Sequence, residues 1–237
     1  MAQASKTQID RLGDRLKKGA VEEPDLILLD SYRRSFGTAY ETVVQTIRTE
    51  IELEPTGRPA KSTNSLIEKL KRESIRLTQV QDIAGCRLVV SDILEQDRVV
   101  GSLLVDVFSE ARVVDRREEP SYGYRAVHVI IEIFGKSVEI QVRTRFQHIW
   151  AEISGKYADL YGSDIKYGGG NEEIRRVLET LSQLIATYEN LEDTLGRLEE
   201  SDEVRKALEQ ISIFRDRIAR ELDEEISRID NEKGEKP

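Results

Sequence analysis

From Val138 to Thr144 apolar and polar side chains alternate, with Val138, Ile140 and Val142 set against Glu139, Gln141 and Arg143. A period of two is the pattern of a half-buried strand and is incompatible with a helix there. Tyr124 to Phe134 reads as a second strand, and Gly135-Lys136 between them as a tight turn. Segments 124–134 and 137–143 are therefore expected to form an antiparallel hairpin. A hairpin of this length needs more sheet and helices to cover it. The polar row of its second arm holds an acid, an amide and a guanidinium. Such a row can ligate a metal, adapt its hydrogen bonds and clamp a phosphate, and a solvated sheet face carries the same residues.

The 237 residues suffice for one large or two small domains. No apolar run approaches a membrane span, and Met1 to Ala20 lacks the apolar core of a signal peptide. With a single cysteine, Cys86, no disulfide can form within the chain, and the expectation is a cytoplasmic protein without membrane contact. Two histidines and one cysteine cannot furnish a zinc site, so any metal would be held by oxygen. The net charge of −9 is uneven: residues 171–237 carry 11 basic and 19 acidic side chains, whereas residues 57–91 carry seven basic and three acidic. The middle of the chain can thus receive a polyphosphate despite the overall charge.

Taken in order, Ser5 to Lys18 reads as a polar, frayed helix ended by Gly19. Pro24 opens a helix over Asp25 to Glu50, followed by a short strand at Ile51 to Glu54. Ser62 or Thr63 caps a helix running to Glu73. With Lys61 just before it, that N-terminus favours an anion, although a basic solvated face fits equally well. Asp82 precedes a strongly apolar strand from about Gly85 to Val90. An acid there is costly unless paired or metal-bound, and a plain turn aspartate is the alternative. A helix over Ile93 to Phe108, a strand at Ala111 to Asp115 and a loop lead back to the hairpin. The helix Arg145 to Tyr161 follows, with His148, Trp150 and Glu152. Beyond residue 171 an acidic helical hairpin, broken at Glu199 to Asp202, has one apolar seam per helix; the seam either folds onto the domain or, as favoured here, pairs with another copy of the chain.

The expected organisation is a polar helical segment over 1–23, an α+β domain over 24–165, the acidic hairpin over 171–232 and a disordered tail over 233–237. The α+β domain should contain a mixed, largely antiparallel five-stranded sheet flanked by helices.

Four segments together are similar to the RelA/SpoT-type synthetases and, given the length, to the small alarmone synthetases. They are Gly57-Arg58 through Lys61-Ser62 to Lys69-Leu70, then Asp82-Ile83-Ala84-Gly85-Cys86-Arg87, Gly123-Tyr124-Arg125-Ala126-Val127-His128, and Val138 to Thr144. Any one is weak evidence, but four in the family's order are specific. The resemblance covers roughly residues 25–165. It implies a nucleotidyltransferase-like fold and transfer of pyrophosphate from ATP to the 3′-hydroxyl of GDP or GTP, making (p)ppGpp and releasing AMP. By the same resemblance Asp82 and Glu139 would be catalytic and hold Mg²⁺. Arg58, Lys61, Ser62, Lys69, Arg87 and Arg143 would bind ATP. Tyr124, Arg125, His128 and Gln141 would bind the acceptor, with Tyr124 stacked on guanine.

The sequence departs from the family in three places. Arg58-Pro59-Ala60-Lys61 is one residue longer than the usual Arg-x-Lys. Ala126 replaces a small polar residue, and Pro120-Ser121-Tyr122 stands where many members have a basic or Asn-containing loop. Two alternatives therefore stay open: a toxin-like relative acting on the 3′ end of tRNA, or a catalytically silent nucleotide-binding scaffold. A homo-oligomer through the C-terminal helices is also expected.

Overall fold

The computed structural model describes residues 4–198 and 201–234. Five strands, β1 (Thr56–Arg58), β2 (Ala84–Val90), β3 (Arg112–Asp115), β4 (Val127–Ile133) and β5 (Lys136–Thr144), form one mixed sheet in the order β1-β2-β5-β4-β3. β1 runs antiparallel to β2, with Gly57 opposite Cys86 and Arg58 opposite Gly85. The expected hairpin is β4–β5, but its turn is Phe134-Gly135, one residue earlier than the sequence indicated. Both residues have positive φ, 52° and 68°, as a two-residue hairpin turn requires.

The helices are α1 (Lys6–Lys18), α2 (Glu23–Arg34), α3 (Gly37–Thr46), α4 (Thr63–Glu73), α5 (Ile93–Ser102), α6 (Arg145–Tyr161), α7 (Glu172–Gly196) and α8 (Asp202–Gly234). The chain divides into two compact units. One comprises residues 1–88, 102–113 and 128–141; the other comprises 89–101, 114–127 and 142–237.

In the first unit α1 is not frayed. Ser5 and Gln8 form a reciprocal capping box, Gly19 closes the helix in the left-handed conformation, and Ile9, Leu12 and Leu16 are buried. Gly13 permits this packing, because a Cβ there would lie 2.9 Å from the Cβ of Leu77. The single helix expected over 25–50 is two, parted at Ser35-Phe36, where the Ser35 hydroxyl donates to the Tyr32 carbonyl at 2.6 Å. Segment Ile51 to Glu54 is not a strand: a π-helical turn spans Ile47–Ile51, and Glu52 has φ of 58°. The strand comes later, at β1. Similarly, the helix expected to reach Phe108 leaves the α-helical path after Ser102 for a π-helical turn over Leu103–Val107.

In the second unit α6 matches its expected limits, with Thr144 as N-cap. Its Phe146, Ile149, Trp150 and Ile153 pack with Leu178 and Ile185 of α7 and Ala219 of α8. Much of the C-terminal seam thus folds onto its own unit. A separate row, Val177, Leu184 and Leu191 on α7 with Leu198 just beyond its end, is exposed at seven-residue spacing. Residues 233 and 234, expected to be tail, continue α8, and residues 235–237 lie outside the described set.

Candidate active site

In the first unit, Lys61 leads into α4, and its backbone N–H donates to the Ile83 carbonyl at 2.6 Å. That bond holds the entry to α4 beside the approach to β2. The Nζ of Lys61 then lies 2.7 Å from Oδ2 of Asp82, and the Nζ of Lys69, further along α4, lies 2.9 Å from Oδ1. Burial alone would raise the Asp82 carboxyl, but the two ammonium groups outweigh it and hold the group below its ordinary value.

On β5, Oε1 of Glu139 meets Nδ1 of His128 at 2.8 Å, and Oε2 accepts from Nε2 of Gln141 at 2.7 Å. Burial pushes Glu139 upward. The hydrogen bond and attraction of His128, with Gln141, more than reverse this, while the charge of Asp82 works against them. Gly85 matters here: a Cβ would stand 2.9 Å from the Glu139 carbonyl oxygen, so only glycine lets β2 approach β5 at this point. Burial and the Glu139 charge push the Cys86 thiol up to about 12, making it an inert core thiol.

Two carboxylates on neighbouring segments suit an ion that takes most of its shell from phosphate and water, as Mg²⁺ does. Among the described residues no group of three His, Cys, Asp or Glu side chains could form a closed metal cage. Asp82 and Glu139 are a donor set of the kind that fits Mg²⁺ shared with a polyphosphate.

Arg58 is exposed on β1, and Arg87 is half-buried on β2. The Ser62 hydroxyl serves the helix, accepting from the Ser65 N–H at 3.2 Å and donating to the Ser65 hydroxyl at 2.8 Å.

In the second unit, Tyr124 and Arg143 come together. Arg143 Nη2 donates to the Tyr124 hydroxyl at 3.0 Å, and its guanidinium carbon lies 5.0 Å from the Tyr124 ring centroid. Trp150 flanks the same ring at 6.5 Å. Gly123, with φ of 86°, makes the approach possible, since a Cβ would fall 2.7 Å from Cζ2 of Trp150. Arg125 has a bracing role instead: Nε donates to the Ser182 hydroxyl at 3.1 Å, Nη1 donates to the Arg117 carbonyl, and Ser182 donates to the Gly123 carbonyl at 2.6 Å. Burial lowers the Arg125 guanidinium from its ordinary value.

Sequence reasoning missed a group of buried polar residues in this unit, Gln96, Gln147 and Glu189. A signal was present: Glu189 lies in line with Leu178, Ser182 and Ile185 on the buried face of α7, where an acid is out of place.

Residues 57–163 match the pattern described as the region found in RelA / SpoT proteins. Residues 57–163 are a RelA/SpoT region. All the donor-side and acceptor-side residues named above fall within it. An uncharacterised protein of Mycobacterium tuberculosis is 37% identical over 118 residues, 48% of this chain and 43% of that protein. A GTP pyrophosphokinase of Escherichia coli is 27% identical over 175 residues, 71% of this chain and 22% of that enzyme. The chain thus spans less than half the length of these curated relatives. Small alarmone synthetase 1 from Bacillus subtilis, solved with its product pppGpp, superposes with a TM-score of 0.54 at 24% identity, over 76% of this chain and 100% of that one. A GTP pyrophosphokinase family protein from Streptococcus pneumoniae gives 0.51 at 24% identity, over 81% and 98%. Over these coverages the chain shares the nucleotidyltransferase-like fold of the two solved structures. No helix among the described residues is long and apolar enough to cross a membrane.

Proposed function

We propose that this protein is a pyrophosphokinase that moves the β,γ-pyrophosphoryl group of ATP to the 3′-hydroxyl of GDP or GTP, giving (p)ppGpp and AMP. The observation that carries the reading is the pairing of Asp82 with both Lys61 and Lys69 in the unit that also holds Glu139 with His128. A half-buried acid with two ammonium counterions is suited to exchanging partners with a triphosphate, whose oxygens compete for the lysines. Mg²⁺ held by Asp82 and Glu139 would neutralise phosphate charge as it develops.

The remaining work falls to the chain's own side chains. Lys61 and Lys69 bind donor phosphates and stabilise charge in the transition state. Glu139, kept ionised by His128 and Gln141, accepts the proton of the attacking hydroxyl. Tyr124 stacks on the acceptor base, and Arg143, which the resemblance alone assigns to ATP, is reassigned here to acceptor phosphate because it is held against Tyr124. The related enzymes of Escherichia coli and Bacillus subtilis carry names and a bound product in keeping with this chemistry.

A nucleotide acceptor is favoured over tRNA because two arginines that could otherwise face an RNA, Arg117 and Arg145, already face acids. Arg117 pairs with Asp97 at 2.6 Å and Asp115 at 2.7 Å, and Arg145 faces Asp216 and Asp223 at 3.8 and 3.6 Å. A silent scaffold would have no use for the paired carboxylates. A second copy of the chain is the proposed partner of the heptad row on α7, and reduction of the mass in solution by Leu184→Glu tests it.

The deciding experiment offers ATP labelled at its β- and γ-phosphates to GDP, GTP and tRNA separately. Label in GDP or GTP with matching AMP supports the proposal. Label in tRNA transfers it to the other acceptor, and label in none rules out pyrophosphate transfer.

A further inference from the structure

Arg143 is one of the proposed acceptor residues, and the backbone on both sides of it is gripped by buried polar side chains. Gln96, on α5 and fully buried, donates from Nε2 to the Val142 carbonyl at 2.8 Å. The same Nε2 donates to Oε1 of Gln147 at 2.9 Å. Gln147 Nε2 donates to Oε2 of Glu189 at 3.2 Å, and the Thr144 hydroxyl donates to Oε1 of Glu189. Thr144 and Gln147 also close the capping box of α6: the Gln147 N–H donates to the Thr144 hydroxyl at 3.1 Å, and the Thr144 N–H donates to Gln147 Oε1 at 3.3 Å.

The direction of this chain of hydrogen bonds is dictated by its ends. A backbone carbonyl can only accept, so Gln96 must present its amide N–H₂ to Val142 and to Gln147. Gln147 must then present oxygen to Gln96 and nitrogen to Glu189. At the other end the Gln147 backbone N–H can only donate, so the Thr144 hydroxyl accepts it and turns its own hydrogen to Glu189. Two donors converge on residue 189, and only an acceptor on both oxygens satisfies them. Burial raises the Glu189 carboxyl, so its ionised form is held there against a desolvation cost. An apolar residue would stabilise the fold more simply.

We propose that Glu189 is a positioning residue for the acceptor site, fixing Arg143, and through it Tyr124, by holding Thr144 and Gln147 in one hydrogen-bond polarity. This rests on the acceptor-binding reading given above for Tyr124 and Arg143. The substitution Glu189→Gln leaves one buried donor unmatched in either orientation of the new amide: the Gln147 amide in one, the Thr144 hydroxyl in the other. Exchanging the two residue types repairs this. In Glu189→Gln with Gln147→Glu, the carboxylate now on α6 accepts from Gln96, from the Thr144 N–H and from the amide nitrogen introduced on α7. The oxygen of that introduced amide accepts from the Thr144 hydroxyl.

The test compares the wild type, Glu189→Gln and the double exchange. In steady-state kinetics the single variant should raise the acceptor KM about ten-fold, the effect of one buried hydrogen bond, with ATP KM unchanged and the double exchange near wild type. In ¹H–¹⁵N spectra of the nucleotide-free proteins the Nε–Hε signal of Arg143, assigned with Arg143→Lys, should move in the single variant and return in the double. An unmoved Arg143 signal in folded Glu189→Gln, or failure of the exchange to restore it, overturns the proposal. If the wild type transfers pyrophosphate to no acceptor, the functional reading falls while the spectra still decide the positioning role.

Discussion

The Nδ1 of His128, on β4, lies 2.8 Å from Oε1 of Glu139, on β5, and the two side chains are largely buried. His128 is one of the groups that bring the Glu139 carboxyl below its ordinary value. Removing it should let that carboxyl rise. Turnover by His128→Ala should therefore fall about 10²-fold, within the usual range for a misplaced base. The acid limb of its pH–rate profile should move to higher pH. An unshifted limb would mean that His128 does not tune Glu139.

Asp82 has a lowered carboxyl pKa, so it binds a proton less readily folded than unfolded. Its contribution to stability is present above the unfolded value of about 3.9 and is lost as pH falls through the lower folded value. Asp82→Asn should flatten that acid loss, destabilise the protein by about 1–3 kcal/mol at neutral pH, and abolish AMP release. Its side chain retains 17% exposure, which keeps the cost below that of a fully buried pair. Denaturant unfolding across acid pH and an AMP assay check both parts.

Gly123 and Gly135 separate strain from collision. Both have positive φ, but a Cβ at Gly123 meets Trp150 at 2.7 Å, whereas one at Gly135 meets nothing within 4 Å. Gly135→Ala should cost about 1 kcal/mol from backbone strain. Gly123→Ala should cost about 2–4 kcal/mol and also raise the acceptor KM, because the ring beside Tyr124 must move. Thermal unfolding of the two variants makes the comparison.

Glu189 has the opposite sign from Asp82. Burial raises its folded carboxyl, with the charge of Glu192 adding to the rise and Arg125 and the hydrogen bonds opposing it. The folded state then holds the proton more tightly, and the stability owed to this group decreases as pH rises from about 4.5 through the folded value. Wild type minus Glu189→Gln stability should therefore become smaller over that interval. Acceptor affinity of the wild type should change the other way, weakening as the carboxylate is protonated. Parallel denaturant and acceptor titrations against pH distinguish the two trends.

Local chemistry was legible wherever neighbours along the chain decide it. A cap at Ser62 or Thr63, of which the structure uses Ser62, the limits of α6 and the alternation of β5 all follow from residues within a few positions of each other. The helix expected over 25–50 failed for a related reason: Leu29, Phe36, Val43 and Ile47 keep helical spacing across a backbone break, and periodicity is blind to such a break. The strand expected at Ile51 to Glu54 was displaced because pairing with Gly85, Cys86 and Arg87 selects Thr56 to Arg58.

The β4–β5 hairpin, the limits of α6, the choice of Asp82 and Glu139 as candidate acids, and the resemblance to the RelA/SpoT region were legible in side-chain identity and spacing alone. Which cation neutralises Asp82, which ring nitrogen meets Glu139, and why an acid lies among the leucines of α7 were decided only in three dimensions. Each depends on groups brought together from distant parts of the chain. A hydrogen bond takes its direction from the partner it meets, and one-dimensional spacing does not specify that partner.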